Sequence, residues 1–392
     1  MYNASKSFII FILITVLCIE KTVAQNDSTA KKANDINGAA STTIIHPQTP
    51  HAPYPYDTIE VEYDNADKTV HLAGTLSFPK KGDSFTTIVM ITGSGQQDRD
   101  ETILGHKPFA VIADYLTRAG FAVLRVDDRS KGKSKGDLNK ATSLDFANDV
   151  ITSVQYISTF KQVNKNKIGL MGHSEGGFIA PIVYTKYPVI AFIVSLAGTG
   201  VPGADILFKQ QTLPVKGLVS DAAYSAYGNL ASGTLKLIQE NTTLSDTLVL
   251  AKIKNLYADW KKNLPDSILN PLNAKDVTPE QYCFQIMTEL RPWFRYFIAT
   301  NPDDFWSKVK CPVLILNGEK DIQVYPEQNP PAIAASLNKA GNKNYNVKIF
   351  PGLNHLFQHC IKCTFQEYSS LEETFSPEVL AYIKDWLEKK VK

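Results

Sequence analysis

A serine between two glycines offers the clearest chemistry in this chain. Residues 172–176 (GHSEG) fit the pattern G-x-S-x-G, which follows an apolar run and precedes a helical one. A strand-to-helix turn this tight forces its central residue into strained backbone angles, so its neighbours two positions away must be small. Such a turn would present Ser174 Oγ as a nucleophile at the end of a strand. The alternative interpretation is a glycine-rich turn that follows a core strand and has no catalytic role.

A serine nucleophile needs a base, and the base needs an acid that orients it. In enzymes built on this turn, the acid and then the base follow the serine along the chain. Asp321 follows the apolar run PVLILNGEK, and His355 follows VKIFPGLN, so both are predicted at strand ends. His359 also lies beyond the acid, but only His355 directly ends a strand. The order predicts a triad of Ser174, Asp321 and His355, with Glu319 as an alternative acid. No metal or organic cofactor is implied.

The negative charge of a tetrahedral intermediate needs two N–H donors. The backbone amide of Glu175, directly after the serine, is the first expected donor. The second is expected from the loop that follows the apolar strand 85–91, with Ser94 favoured and Gly95 or Gln96 as alternatives. Gln96 is also a candidate substrate contact. A phosphate-binding loop is disfavoured because neither of the usual glycine-rich phosphate motifs is present.

Strand and helix patterns alternate along most of the chain. An antiparallel hairpin is predicted over 58–79, and apolar strands are predicted at 85–91, 121–126, 167–173, 191–198, 312–318 and 345–352. Amphipathic helices are predicted between them, including one from Thr142 and a final one that Ser376 caps. This alternation predicts an α/β fold with a mostly parallel sheet and helices on both faces.

Residues 202–306 interrupt the alternation, because they show helical periodicity but no convincing strand. We expect them to form a helical cap over the active site. Most of their aromatic side chains are expected to form the cap's own core. Trp293, Phe294 and Tyr296 are the predicted substrate contacts from this segment.

The N-terminus has the features of a signal peptide spanning 1–24. Lys6 precedes an apolar run over 8–19, and small residues precede a cleavage point near Ala24. The run is shorter than the ~20 residues that cross a bilayer, so a membrane anchor is the less favoured alternative. A lipoprotein at Cys18 is disfavoured by the bulky Leu17 before it. Export to the periplasm or beyond is therefore predicted, with a flexible leader over 25–52.

The overall composition is typical of a soluble enzyme. Of 392 residues, 44% are hydrophobic and 20% are charged, with a formal net charge of +2. This balance argues against a nucleic-acid partner, and no stable membrane insertion is expected after the signal is cleaved. The predicted partner is a small-molecule ester, and the sequence leaves the oligomeric state open.

Two further features need an explanation. Cys360 and Cys363 form a C-x-x-C in a loop, where a local disulfide or two idle thiols is preferred over a redox motif or a zinc site. The charged run 98–101 (DRDE) is interpreted as an ion-pair network that shapes the neighbouring loop, with a solvated loop as the alternative. Its candidate partners lie in 125–129.

Five motifs together resemble a known family. They are GSGQQDRDET (93–102), RVDDRSKGKS (125–134), GHSEGG (172–177), LNGEKDIQV (316–324) and GLNHLFQ (352–358). The chain resembles secreted bacterial α/β-hydrolase serine esterases of the acyl-esterase type, which are related to serine-aminopeptidase-like and dienelactone-hydrolase-like groups. The resemblance implies an α/β-hydrolase core over 53–201 and 307–392, interrupted by the cap at 202–306. It also implies that Ser174, Asp321 and His355 act as nucleophile, acid and base, beside an oxyanion loop at 93–96.

The chain departs from the family pattern in two places. Ser130 stands where the family usually has glycine, so an altered turn is expected there. Paired cysteines are also unusual for the family just beyond His355. The sequence thus predicts an exported serine carboxylesterase for small to medium acyl groups. A serine peptidase of the aminopeptidase or prolyl-oligopeptidase type, and a non-catalytic ligand-binding relative, are the alternatives.

Overall fold

One eight-stranded sheet organises the chain. The computed structural model describes residues 46–391. Along the sheet the strands follow the order β1-β2-β4-β3-β5-β6-β7-β8. Their bounds are Asp57–Asp64 (β1), His71–Phe78 (β2), Phe85–Ile91 (β3), Ala122–Val126 (β4), Val163–His173 (β5), Ile193–Leu196 (β6), Val313–Gly318 (β7) and Tyr345–Phe350 (β8).

The sheet is antiparallel at its N-terminal edge and parallel elsewhere. β1 pairs antiparallel with β2, and β2 pairs antiparallel with β4. The pairings from β4 through β3 and β5 to β8 are all parallel. Every residue of β7 is buried, as expected for a parallel strand covered on both faces. The predicted α/β architecture and its N-terminal hairpin are confirmed.

Helices cover both faces of this sheet. Ile88 and Met90 of β3 join the core cluster beneath α1 and the last helix, α12. The intervening Val89 lines a small space together with side chains of α2 and α3. The helices of this part are Pro108–Arg118 (α1), Ser143–Ile157 (α2), Glu175–Lys186 (α3), Asp303–Trp306 (α10), Asn329–Lys339 (α11) and Pro377–Lys390 (α12).

Residues 202–300 form a second compact unit, inserted in the chain between β6 and β7. Its aromatic core contains Tyr257, which stacks on Tyr282 at 4.5 Å and packs against Trp260. This agrees with the expectation that most aromatics here pack within the segment. The helices are Gly203–Thr212 (α4), Asp221–Glu240 (α5), Asp246–Lys262 (α6), Asp266–Leu269 (α7), Pro279–Gln285 (α8) and Pro292–Ala299 (α9).

The boundaries of the two units differ from the predicted ones. The core unit resumes at Asn301 rather than at 307, because Trp306 is buried in it and donates a hydrogen bond to the carbonyl of Thr199. The predicted leader also ends earlier than residue 52. Gln48 donates to the carbonyl of Phe375 and accepts from the amide of Thr374, which ties this stretch to the core.

The predicted signal peptide and most of the leader lie outside the described residues. Within 46–391, no helix is both long and apolar enough to cross a membrane.

Candidate active site

Ser174 occupies a sharp turn between β5 and α3. Its φ of 53° and ψ of −115° lie in a region that side-chain-bearing residues rarely adopt. A Cβ on Gly172 would lie 2.1 Å from the carbonyl oxygen of Gly176. A Cβ on Gly176 would lie equally close to the carbonyl oxygen of Ile91. Both flanking glycines are therefore needed for the turn to form.

His355 and Asp321 form a buried hydrogen-bonded pair. His355 Nδ1 lies 2.8 Å from Asp321 Oδ2, and both side chains are almost fully buried. The other oxygen, Oδ1, accepts the backbone amides of Gln323 and Val324. Because the carboxylate can only accept, His355 Nδ1 carries the proton and its Nε2 is the basic nitrogen.

The alternative acid, Glu319, faces elsewhere. Its Oε2 accepts a hydrogen bond from the backbone amide of Gly352 at 3.0 Å, and within residues 46–391 no hydrogen bond joins Glu319 to His355. Asp321 also accepts a hydrogen bond from Asn317 Nδ2, which comes from the end of β7. The geometry thus selects Asp321 as the partner of His355.

The sheet explains why these distant residues meet. β5, β6, β7 and β8 are consecutive parallel neighbours, so Ser174, Asp321 and His355 follow strands whose carboxyl ends lie at one edge. A Cβ on Gly318, the last residue of β7, would lie 2.3 Å from the carbonyl of Leu353. Glycine at this position allows the histidine loop to come close to the acid.

The loop after β3 lies against the nucleophile. A Cβ on Gly93 would come within 3.3 Å of Ser174 Cβ. The backbone amides at the two ends of the loop already donate hydrogen bonds: Gly93 donates to the Glu101 carboxylate and Gln97 to the Asp128 carboxylate. This leaves the amides of residues 94–96, which include the predicted Ser94 and Gly95, as candidates for the second oxyanion donor.

Other predicted residues near this loop have clear positions. The amide of Glu175 belongs to the first residue of α3, so it lies at the positive end of that helix. Its side chain is buried and accepts a hydrogen bond from Ser143 Oγ. The Gln96 side chain donates to the carbonyls of Arg129 and Ser130, so it anchors the loop. Its predicted contact with substrate stays a prediction.

Ser130 adopts the left-handed conformation that glycine would favour. Its φ is 62°, and its Oγ donates to the carbonyl of Gly136. A serine thus occupies backbone angles that glycine favours, and the altered turn expected from this departure stays a prediction.

The charged run 98–101 is an ion-pair network, as predicted. Arg99 binds the carboxylates of Asp127 and Glu60, and Asp100 pairs with Arg125. Asp128 accepts hydrogen bonds from Thr92 Oγ1 and the Gln97 amide. Burial of its carboxyl group raises the pKa of Asp128 to about 8. These contacts fix the shape of the loop beside Ser174.

Cys360 and Cys363 are joined by a disulfide, one of the two preferred interpretations. Glu367 accepts the backbone amides of residues 361–363 and completes this short loop. Cys360, Cys363 and Glu367 form the one group of three or more His, Cys, Asp or Glu side chains within 46–391 whose ligand atoms lie close enough together to hold a metal ion. Both sulfurs are used by the disulfide, so the group does not fit a metal site.

Two residues that the sequence did not assign to the site lie beside it. Glu101 and His173 are both buried and contact each other, although 72 positions separate them in the chain. His173 stands inside the serine motif and Glu101 ends the charged run, but no spacing pattern connects the two.

The predicted aromatic contacts lie on α9 of the helical unit. Trp293 stacks on Phe297 and packs edge-on against Phe294. Tyr296 lies on the same helix. The role of Trp293, Phe294 and Tyr296 in binding substrate stays a prediction.

A family model matches most of the chain. Residues 42–339 match the model described as X-Pro dipeptidyl-peptidase (S15 family). The chain belongs to this family. The chain is therefore a hydrolase of this family.

Two curated relatives share part of the sequence. Esterase EstD of Thermotoga maritima is 23% identical over 295 residues, which cover 75% of this chain and 60% of the relative. The chain thus spans less than two thirds of that relative's length. The 2-hydroxy-6-oxononadienedioate/2-hydroxy-6-oxononatrienedioate hydrolase of Escherichia coli K12 is 26% identical over 219 residues, covering 55% of this chain and 71% of the relative.

Solved structures share the fold. The alpha/beta hydrolase GrgF from Penicillium sp. sh18 has a TM-score of 0.50 at 16% identity, covering 86% of this chain and 99% of GrgF. A putative dipeptidyl aminopeptidase IV from Bacteroides ovatus also has a TM-score of 0.50, at 14% identity, covering 86% of this chain and 36% of its own. The α/β-hydrolase fold is thereby confirmed, and the family match together with the esterase relative supports the serine-hydrolase class. Export stays a prediction.

Proposed function

We propose that this S15-family chain hydrolyses carboxylic esters of small to medium acyl groups through an acyl-enzyme on Ser174. The observation that carries the proposal is the buried His355–Asp321 pair at the same sheet edge as a strained, glycine-flanked serine. This is the arrangement that turns a weakly nucleophilic hydroxyl into an attacking group.

In the proposed mechanism, His355 Nε2 takes the Ser174 proton as Oγ bonds to the ester carbonyl carbon. The amide of Glu175 and one amide from residues 94–96 then hold the oxyanion. The intermediate collapses, the bond to the alkoxy oxygen breaks, and His355 gives its proton to the leaving alcohol. Water, deprotonated by His355, then attacks the acyl-enzyme carbonyl; the bond to Ser174 Oγ breaks, His355 returns its proton to Oγ, and the acid is released. Asp321 keeps the proton on Nδ1 throughout and stabilises the imidazolium.

Ester substrates are supported by the name of one relative. The curated relative matched over the longer stretch is called an esterase. The other is called a hydrolase of oxo-dienedioates, which carry no ester bond, so its name supports hydrolysis alone. These names describe those proteins, and their identities to this chain are low. The support is therefore for the chemical class of substrate rather than for a particular acid or alcohol.

Peptide substrates are the second candidate, because the matching family is described as X-Pro dipeptidyl-peptidases. An amide is harder to cleave than an ester, since its amine must be protonated as it leaves. An enzyme that removes dipeptides also needs an anchor for the free N-terminus of the peptide. No anchor of this kind is assigned among the described residues.

The test compares para-nitrophenyl acetate, butyrate and octanoate with an alanyl-proline anilide. Wild type is expected to turn over the esters, with a chain-length optimum that reports the size of the acyl site. Ser174→Ala is expected to lose this activity, whereas Ser158→Ala, on an exposed turn after α2, is expected to retain it. Faster cleavage of the anilide than of any ester would contradict the esterase proposal and favour a peptidase function.

We also propose that the protein is exported, on the strength of the N-terminal pattern alone. Expression of the full chain with its native N-terminus should yield a mature protein that begins near Gln25. Sequencing the N-terminus of the extracytoplasmic fraction is the measurement. An intact Met1 in the membrane fraction would favour the anchor instead.

A further inference from the structure

Behind the nucleophile lies a buried histidine with two acceptors. The Nδ1 atom of His173 lies 3.0 Å from Glu101 Oε1, and its Nε2 lies 3.1 Å from the carbonyl oxygen of His355. Both side chains in the first contact are nearly inaccessible to solvent. A carboxylate and a backbone carbonyl can accept hydrogen bonds but cannot donate them. A neutral imidazole has one N–H and can satisfy only one of these two acceptors.

The same carboxylate oxygen receives a third contact. The backbone amide of Gly93 donates to Glu101 Oε1 at 2.7 Å. All three contacts are satisfied together when Glu101 is ionised and both nitrogens of His173 carry protons. A neutral pair, in which a protonated Glu101 donates to His173 Nδ1, would also satisfy them, but the charged pair is favoured because an ionised carboxylate accepts from Gly93 and His173 more strongly than a carboxylic acid does. Glu101 is also held at a φ of 51°, in the left-handed region, so the chain accepts backbone strain to place this carboxylate.

We propose that His173 and Glu101 form a permanent buried ion pair that acts as a positioning clamp on the catalytic site. The clamp joins three segments. His173 is bonded through the chain to Ser174, Glu101 holds the oxyanion loop through Gly93, and the imidazolium holds the backbone of His355. The proposal rests on the proposed serine-hydrolase function. Glu101 and His173 are positioning residues, since the reacting groups they act through are Ser174, His355 and the oxyanion loop.

The electrostatic surroundings favour the charged form. The Glu101 carboxylate raises the pKa of His173 against the opposing effect of burial. The other titratable groups around His173 are Asp321, which also favours the imidazolium, and the His355 ring, whose centroid lies 4.7 Å away. Glu101 faces Asp128 in turn.

Glu101→Gln removes the negative charge of this side chain but keeps its size and shape. The glutamine oxygen can still accept from Gly93 and from His173 Nδ1, but His173 is then neutral at alkaline pH. Its Nε2 loses the proton that holds the His355 carbonyl. At lower pH the imidazolium forms again and restores that contact. The variant's deficit in kcat should therefore grow as pH rises.

The kinetic experiment measures kcat and KM for para-nitrophenyl butyrate from pH 6 to 8.5. We expect Glu101→Gln to lose at least about tenfold in kcat at pH 8.5, to recover to within about threefold of wild type at pH 6, and to keep its KM. Dividing the kcat of the variant by the kcat of wild type at each pH cancels the titration of the catalytic base, which both proteins share. Kcat within twofold of wild type at every pH, or a deficit that does not change with pH, would overturn the proposal.

Glu373→Gln is the matched control. Glu373 also accepts a histidine ring nitrogen and a backbone amide, both from His359, but that histidine is 60% exposed. We expect the kcat of this variant, divided by that of wild type, to stay near one at all pH values. A pH-dependent loss here as well would show that the effect is not specific to the clamp.

A second measurement does not depend on activity. In ¹⁵N-histidine-labelled wild type at pH 7.5, His173 should give two protonated ring nitrogens, assigned by their loss in His173→Gln. A neutral His173 in this spectrum would overturn the proposal even if the variant does not fold. An imidazolium in a protein that hydrolyses none of the esters would instead count against the proposed function alone.

Discussion

At the scale of single residues, Asp321 sets the orientation of the His355 ring and which of its nitrogens carries the proton. Asp321 accepts two backbone amides, the Asn317 amide and His355 Nδ1, so its carboxylate is fully occupied. The sequence favoured Asp321 but left Glu319 open, because both follow β7 within three residues. The hydrogen bonds in the structure pair His355 with Asp321, and the sequence does not display them.

Asp321→Asn tests that choice. An asparagine would turn its NH₂ group towards His355 Nδ1, which favours the tautomer with the proton on Nε2, where the base is needed. We expect kcat for para-nitrophenyl butyrate to fall by about 10³- to 10⁴-fold with little change in folding. Glu319→Gln should retain at least half of the wild-type kcat. A larger loss in Glu319→Gln than in Asp321→Asn would reverse the assignment of the acid.

The element scale is where the sequence was most informative. Apolar strands and the capping box at Thr142 before α2 marked the elements closely, because burial and capping leave local patterns. Ser376 does stand directly before α12, but its hydroxyl makes no capping hydrogen bond within residues 46–391, so the predicted cap is wrong in its contact. The carboxyl ends of parallel strands then bring Ser174, Asp321 and His355 to one edge. The ends of the segments were less predictable. Gln48 is tied to the core by contacts with residues that lie more than 300 positions away.

Gly176→Ala tests the geometry of the serine turn as an element. The added methyl would approach the carbonyl oxygen of Ile91 to 2.1 Å, and backbone on both sides leaves no flexible atom to give way. We expect a loss of about 1–3 kcal/mol in the free energy of unfolding and a fall in kcat of at least about tenfold. Urea unfolding and ester kinetics are the measurements.

The matched control is Gly228→Ala, within α5. Its Cβ would have only ordinary contacts, the nearest at 3.8 Å with Phe208. We expect no loss of stability, since alanine favours a helix over glycine by up to about 1 kcal/mol. Equal destabilisation by the two substitutions would mean that close packing around the turn is not its main requirement.

At the scale of the whole molecule, the order of the parts and the ion pairs of residues 98–101 with residues 125–129 could be predicted from the sequence, but the contact of Glu101 with His173 could not. Glu101 and His173 come from different loops, and both look unremarkable in the sequence. Their pairing depends on how β3 and β5 align in the sheet, which sets the two loops side by side. Residues 202–300 are helical, as the missing strand patterns predicted, while the roles of Trp293, Phe294 and Tyr296 are still to be measured.

A buried carboxyl group in the helical unit predicts how stability depends on pH. Glu289 is 3% exposed and its Oε2 has no hydrogen-bond partner among the described residues. Burial raises the pKa of Glu289 from 4.5 to about 7. The folded state therefore holds a proton between these values that the unfolded chain has released, so stability falls as pH rises from about 4.5 to about 7.

Glu289→Gln should remove this dependence. The free energy of unfolding of wild type is expected to fall by about 2.5 kcal/mol more than that of the variant between pH 5 and pH 8. Urea unfolding at both pH values, followed by tryptophan fluorescence, is the measurement. A variant that loses as much stability as wild type over this range would show that Glu289 is not the titrating group.

The most direct test of the central claim is to label the nucleophile itself. Wild type is treated with a fluorophosphonate, and the adduct is located by mass spectrometry while ester hydrolysis is followed. The account predicts one adduct per chain, on Ser174, forming at the rate at which activity disappears. Ester turnover that survives complete labelling of Ser174, or inactivation by an adduct on another residue, would contradict it.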